Sequence, residues 1–251
     1  MDLKLFCFMV YILYIANLIK NRINKIFMTK AIISDGGDIL FTSKDKEVLY
    51  SFLSKYIPNL TFGAFRTGFK PYRSKSNEVK GYSVDDAVRD YIFENDFNGG
   101  IFDEYMISRE RMDVLQHKNR VVREGVKETL EELKHRGVYF IVATDASLPG
   151  RILRPQLVPL GLSGLVYDIV SSTDVGAQKP NPKFFNRVLR ANDLKRDEVF
   201  FVGHDEDELR GAYEQGFEVV ALNYDPKEDL SFISEDHKVE KFPQILKFVK
   251  T

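Results

Sequence analysis

The sequence predicts an α/β protein, a doubly wound parallel sheet with a small all-helical segment inserted after the first strand. Three observations carry this. Short continuous apolar runs recur at Lys30–Ser34, Val138–Ala143, Leu165–Ser171, Val199–Val202 and Val219–Leu222, with helical patterns between the later ones. Such runs, alternating with helices, are the mark of parallel strands buried on both faces. The rhythm stops between about Ser43 and Arg123, where the apolar spacing reads as helices. Polar residues also follow three segments directly, at the carboxyl ends of strands where an open sheet gathers its ligands.

Taken in order, the first strand ends at Ser34, and Asp35 then opens a turn through Gly36 and Gly37. Two glycines let the backbone turn sharply and approach a ligand closely. The insert reads as helices over Asp45–Tyr56, over Asp85–Glu94 with Ser83 as N-cap, and over Ile101–Leu115. Pro58–Tyr82, rich in Gly, Arg, Lys and aromatic residues, reads as a loop between the first two. From Glu124 the alternation resumes. Val126, Leu130 and Leu133 form one apolar helix stripe that Gly137 stops. Phe184, Phe185, Val188 and Leu189 mark a later helix, and Asp207–Gln215 another, stopped by Gly216. The expected division is a core of residues 28–43 and 124–251 with residues 44–123 as a cap.

The bulk numbers suit a soluble globule, with 44% hydrophobic and 29% charged residues in 251. A net charge of -1 gives no reason to expect nucleic acid as a partner. Cys7 is the lone cysteine, so the chain has neither an internal disulfide nor a thiolate metal cluster, and a reducing cytoplasmic setting is expected. Residues 1–27 read as an apolar leader. The run Leu5–Ala16, extended through Asn17 to Ile19, is shorter than the roughly 20 residues that span a bilayer. The leader reads either as residues upstream of a true start at Met28 or as a short membrane anchor. In the second case Lys20, Arg22 and Lys25 place the remainder in the cytoplasm.

Four segments carry the chemistry. Asp35 ends an apolar strand, Thr144 ends Ile141-Val142-Ala143-Thr144, Lys179 precedes Pro180, and Val202-Gly203 leads into His204-Asp205-Glu206-Asp207-Glu208. A carboxylate fixed by a sheet can attack phosphorus and split hydrolysis into two easier steps. An ammonium and a hydroxyl can hold the phosphoryl oxygens. An acidic cluster can hold a hard cation. Read blandly, the same residues are a turn aspartate, a strand-end threonine, a surface lysine and acids at a helix start.

In this order the segments resemble the haloacid dehalogenase superfamily, over about Met28 to Tyr224. The resemblance implies a Rossmann-like core with a helical cap and hydrolysis of a small phosphomonoester. It implies Asp35 as nucleophile, Thr144 and Lys179 as phosphate holders, and Gly36, Gly37, Asp145 and the cap's Arg73 as substrate contacts. It also implies magnesium, with manganese or no metal as alternatives, among Asp35, the Gly37 carbonyl, His204, Asp205 and Glu208. Two departures stand out: His204 replaces a metal-binding aspartate, and Gly37 replaces the aspartate that protonates the leaving oxygen. General acid–base help of that kind is worth roughly 10²–10⁴ in rate. A metal-independent carbon–halogen hydrolase and a binding protein without turnover are the competing readings. A small molecule is the expected partner.

Overall fold

The structure is a computed structural model that describes residues 28–43, 48–79, 81–118 and 120–250. The predicted leader and Lys80 lie outside the described residues. Among the described residues, no helix is long and apolar enough to cross a membrane.

The strands in chain order are β1 (Ala31–Ser34), β2 (Phe41–Ser43), β3 (Arg120–Val122), β4 (Tyr139–Thr144), β5 (Asp168–Ser171), β6 (Val199–Gly203), β7 (Glu218–Leu222) and β8 (Lys238–Val239). Six of them form one sheet in the order β5-β4-β1-β6-β7-β8, every neighbour parallel. From central β1 the chain winds outward through β4 and β5, then back to β6 and out through β7 and β8. The order therefore reverses beside β1, and the crevice at the carboxyl ends of β1, β4 and β6 is the place for a ligand.

Strand alternation explains the two buried faces. Ile32, Phe140, Val142, Phe200, Val202 and Val220 pack to one side, against Leu130 and Leu133 of the helix Val126–His135. Ile33, Ile141, Ala143, Phe201 and Val219 pack to the other, against Phe184 and Phe185 of the helix Pro182–Ala191 and Leu209 of Glu206–Glu214. Gly137, at φ 73°, turns the first of these helices into β4, as its position predicts.

Between β2 and β3, which pair antiparallel as a short ribbon, lies a helical insert with its own apolar cluster. Its helices are Val48–Leu53, Phe62–Glu78, Val84–Glu94 and Gly100–Lys118. Ser83 caps the third as expected: its Oγ accepts from Asp86 N at 3.1 Å while Asp86 Oδ2 accepts from Ser83 N at 2.8 Å. The predicted loop Pro58–Tyr82 is a correction, because most of it is the 17-residue helix Phe62–Glu78. Thr61 caps that helix, and Phe65, Phe69 and Tyr72 fall at i, i+4 and i+7. Their ring centroids lie 6.0, 5.5 and 5.7 Å from that of Tyr91 on the neighbouring helix. Burying this seam outweighs Pro71, which removes one helical hydrogen bond. Two smaller differences occur in the core. Leu165 and Val166 bond back to Leu162 in a turn, so β5 starts at Asp168, and the two-residue β8 has no sequence signal.

Candidate active site

Asp35 is the first residue past β1. Its amide donates to Val202 O at 3.1 Å, so β6 fixes where the side chain starts. Gly36 stands where a Cβ would lie 2.8 Å from Val142 Cγ1, a clash with the sheet that requires glycine. Gly37 is roomier, since a Cβ there would meet Asp35 Oδ2 at an ordinary 3.7 Å.

The ammonium of Lys179 reaches into the crevice from a distant part of the chain. Its Nζ donates to Asp35 Oδ1 and to Glu208 Oε2, each at 2.6 Å. All three residues are buried: Asp35 is 8% exposed, Lys179 7% and Glu208 5%. Glu208 lies in the first turn of the helix Glu206–Glu214, where a carboxylate suits the positive end of the dipole. Its Oε1 accepts from the amides of His204 at 2.7 Å and Asp205 at 3.3 Å. Two glycines permit this approach. A Cβ on Gly203 would lie 2.7 Å from Glu208 Oε1, and one on Gly211 would collide with Pro180, the residue after Lys179.

Burial alone would lower the Lys179 ammonium, but the carboxylates of Asp35, Glu208 and Asp145 outweigh it and hold the amine well above its usual range. Burial pushes Asp35 up, with Lys179 partly offsetting it. Glu208 goes the other way, because Lys179 and His204 outweigh its desolvation. His204 Nδ1 is 3.3 Å from Glu208 Oε1, yet buried and off the axis of a hydrogen bond. Burial works against the charged ring, but Glu208 and then Asp205 outweigh it and push the imidazole up to about 9. The nearby carboxylates thus favour the charged form of the ring. Lys179 thus meets three carboxylates, Asp35, Glu208 and Asp145, in one crevice, with the His204 ring beside Glu208.

Asp145 Oδ1 accepts from Lys179 N at 3.1 Å, which ties the segment after β4 to the Lys179 loop. Burial pushes Asp145 up to about 6, with Lys179 partly offsetting it. Thr144 borders the Asp35 turn, its Cβ 4.0 Å from where a Gly36 Cβ would stand. Ala146 is braced by residues that sequence reasoning misses. Its amide donates to Ser172 Oγ at 3.0 Å, and its carbonyl accepts from Thr173 Oγ1 at 2.6 Å. Their signal was Ser171-Ser172-Thr173-Asp174, a capping box directly after a strand. Arg73 is not part of this cluster. It lines a cavity between the insert and the segment after β4, together with Arg109 and Arg120, which the sequence reading does not single out.

The ligand atoms of His204, Asp205 and Glu208 lie within 4.8 Å of one another, the grouping expected of a cation site. The donors suit magnesium poorly. Both Glu208 oxygens already accept from Lys179 and two amides, and an imidazole nitrogen is a poor donor for a hard cation. Magnesium wants oxygen donors in near-octahedral array. The oxygen of Asp35 not bonded to Lys179, exposed Asp205 and the Gly37 carbonyl, which also accepts from Ile39 N, remain as oxygen donors.

The sequence pattern of the haloacid dehalogenase-like hydrolases matches residues 43–222. The chain belongs to this family. The matched span starts beyond Asp35, so the sheet pairing around β1 is what joins that carboxylate to the matched segments. A phosphoglycolate phosphatase from Haemophilus influenzae is 30% identical over 100 residues, which are 40% of this chain and 44% of that one. A ribulose-1,5-bisphosphate 5-phosphatase from Halopiger xanaduensis is 36% identical over 104 residues, 41% of this chain and 42% of that one. The chain thus spans less than half the length of these curated relatives. A solved structure of a 2-haloacid dehalogenase from Pseudomonas syringae superposes with a TM-score of 0.61 at 17% identity, covering 88% of this chain and 97% of that one. At that identity the likeness speaks for the fold, which is the Rossmann-like core that the strand pattern predicts.

Proposed function

We propose that this hydrolase cleaves small phosphomonoesters through an aspartyl-phosphate on Asp35, with the insert over residues 48–118 acting as a cap. The observation that carries the reading is the buried Lys179 bridge, 2.6 Å to Asp35 and 2.6 Å to Glu208. It holds the attacking carboxylate in one rotamer and places a fixed positive charge where phosphoryl oxygens would gather. Such a charge in a desolvated site favours the transition state more than the same charge in water. The relatives named for phosphoglycolate and ribulose bisphosphate support a small phosphorylated substrate.

In the first step an Asp35 carboxylate oxygen attacks phosphorus, the ester P–O bond breaks, and the alcohol leaves with a proton from solvent. Water then attacks the acyl phosphate, restoring the carboxylate and releasing inorganic phosphate. Thr144 and the backbone N–H groups past Asp35 are the remaining groups proposed to hold phosphoryl oxygens, with Gly36 allowing the approach. Gly37 supplies no acid, so the leaving oxygen depends on solvent and slow turnover is expected for alkyl esters. Family phosphatases generally use magnesium. Here His204 stands 3.3 Å from Glu208, where an oxygen donor would suit magnesium better. The same geometry suits attack of Asp35 on a carbon–halogen bond, which halide release would reveal.

The test is hydrolysis of an aryl phosphate, whose leaving group needs no acid, with and without chelator. Asp35→Asn lowers kcat/KM at least about 10³-fold on this account. A variant with full activity would remove Asp35 from the chemistry.

A further inference from the structure

The chemistry at Asp35 leaves a second charged region unused. A cavity of about 250 Å³ opens between the insert and the segment just past Asp145, lined by Arg73, Arg109 and Arg120 on one side and Ala146, Ser147 and Leu148 on the other. Three guanidinium groups around so small a space repel one another unless anions offset them. One is offset: Arg109 Nη1 lies 2.7 Å from Asp85 Oδ2. Among the described residues, no carboxylate pairs with Arg73 or Arg120. Arg120 instead donates to the neutral Gln156 Oε1 at 3.0 Å and lies over the Phe41 ring, 4.8 Å from guanidinium carbon to centroid. Burial lowers its pKa with no acid opposing, although a guanidinium stays charged in water at any ordinary pH. The cavity therefore carries about two positive charges in excess, held by side chains from two helices and the ribbon.

The wall facing the arginines is not an independent surface. Ala146 directly follows Asp145, which accepts from Lys179 N at 3.1 Å, and Lys179 Nζ bonds Asp35. Ser172 and Thr173 brace that same Ala146. The cavity and the crevice thus border the same segment, Asp145 on one side and Ala146 on the other.

We propose that the arginine-lined cavity binds a second anionic group of the substrate, a carboxylate or a phosphate, at the end remote from the phosphoryl group that Asp35 attacks. The planar guanidinium fork matches either oxyanion, and an excess of such forks selects doubly anionic small molecules over singly anionic ones. This rests on the assignment of Asp35 as the reacting group, and it deepens that assignment from phosphomonoesters at large to doubly anionic ones.

Binding of unreactive phosphonates tests the subsite without requiring turnover. Calorimetry at fixed ionic strength compares ethylphosphonate, phosphonoacetate and methylenebisphosphonate on the whole protein. At least one of the two ligands with a second anionic group binds tighter than ethylphosphonate by roughly tenfold or more, and which one does so tells carboxylate from phosphate. Arg73→Gln and Arg120→Gln each cut that advantage severalfold, and together they abolish it. Arg73 pairs with no acid, so Arg73→Gln keeps the test valid if loss of the Arg120 contacts impairs folding. Equal affinity of the three ligands for the unaltered protein overturns the proposal, as does an advantage that survives both substitutions. A protein that discriminates among the phosphonates but hydrolyses no ester keeps the subsite and contradicts the hydrolytic assignment alone.

Discussion

In the crevice at the end of the sheet, position is set by backbone register and opposed charge. In the helical insert it is set by one seam of aromatic rings. Asp35 is aimed by a strand paired on both sides, and Lys179 meets it and Glu208 where water is nearly excluded. The insert joins its second and third helices through Phe65, Phe69 and Tyr72 against Tyr91, and its charged groups lie mostly at exposed edges, as in Arg89 with Asp86 and Asp90. A buried charge without its partner costs far more than the pair contributes, whereas a lost ring costs transfer energy and a cavity. The two regions therefore respond differently to substitution, and that difference is measurable.

The largest effect is expected at Lys179. Lys179→Met strands Asp35 and Glu208 as buried like charges, so urea denaturation at neutral pH should show a loss of about 3–5 kcal/mol, together with loss of hydrolysis. A stability change under about 1 kcal/mol would mean that the crevice is wetter than its geometry implies. Phe69→Ala, in the insert, should cost about 3 kcal/mol by removing the ring stacked on Phe65 and set edge-on to Tyr91. Aryl phosphate hydrolysis, which needs the crevice, should survive it far better than it survives Lys179→Met.

The contribution of His204 depends on pH. His204 is pushed up to about 9 in the folded protein from an ordinary value near 6.5. A group with a raised folded pKa contributes stability that is complete below its unfolded pKa and vanishes as pH rises through the folded one. The stability lost in His204→Asn should therefore be largest below about pH 6.5, roughly 2–3 kcal/mol, and should fade toward pH 9 and above. A loss independent of pH would mean that the ring acts by packing and not by charge. The smallest effect concerns Pro71, an exposed proline inside the helix Phe62–Glu78. Pro71→Ala restores a helical N–H and should raise stability by about 1 kcal/mol or more, read as a higher Tm. A fall in Tm would show that the proline ring is part of the insert's packing.

The same contrast explains what the sequence made readable. Asp35, Thr144, Lys179 and Glu208 could be placed because each follows or faces a strand whose burial on both sides leaves it one possible layer. The helix Phe62–Glu78 was hidden because Gly63, Gly68 and Pro71 are local breakers, and the ring spacing that overrides them gains its weight only once Tyr91 is packed against it. Arg109 and Arg120 were invisible for a related reason: a helix of the insert and the ribbon carry them to the cavity, and no local pattern encodes that meeting. His204 was legible as a departure, but its position 3.3 Å from the Glu208 carboxylate was not, since that follows from the turn Gly203 allows. Arg73 is the cap residue expected to touch substrate, and it lies in the arginine cavity.

Reductive trapping tests the central claim most directly. The enzyme is quenched in acid during turnover of an aryl phosphate and treated with borohydride, which reduces an acyl phosphate to an alcohol, and its peptides are then mapped by mass. Substrate-dependent conversion of Asp35 to homoserine, absent without substrate and absent in Asp35→Asn, is the predicted result. Phosphate release with Asp35 recovered unmodified, or with the trapped group on another residue, would contradict it.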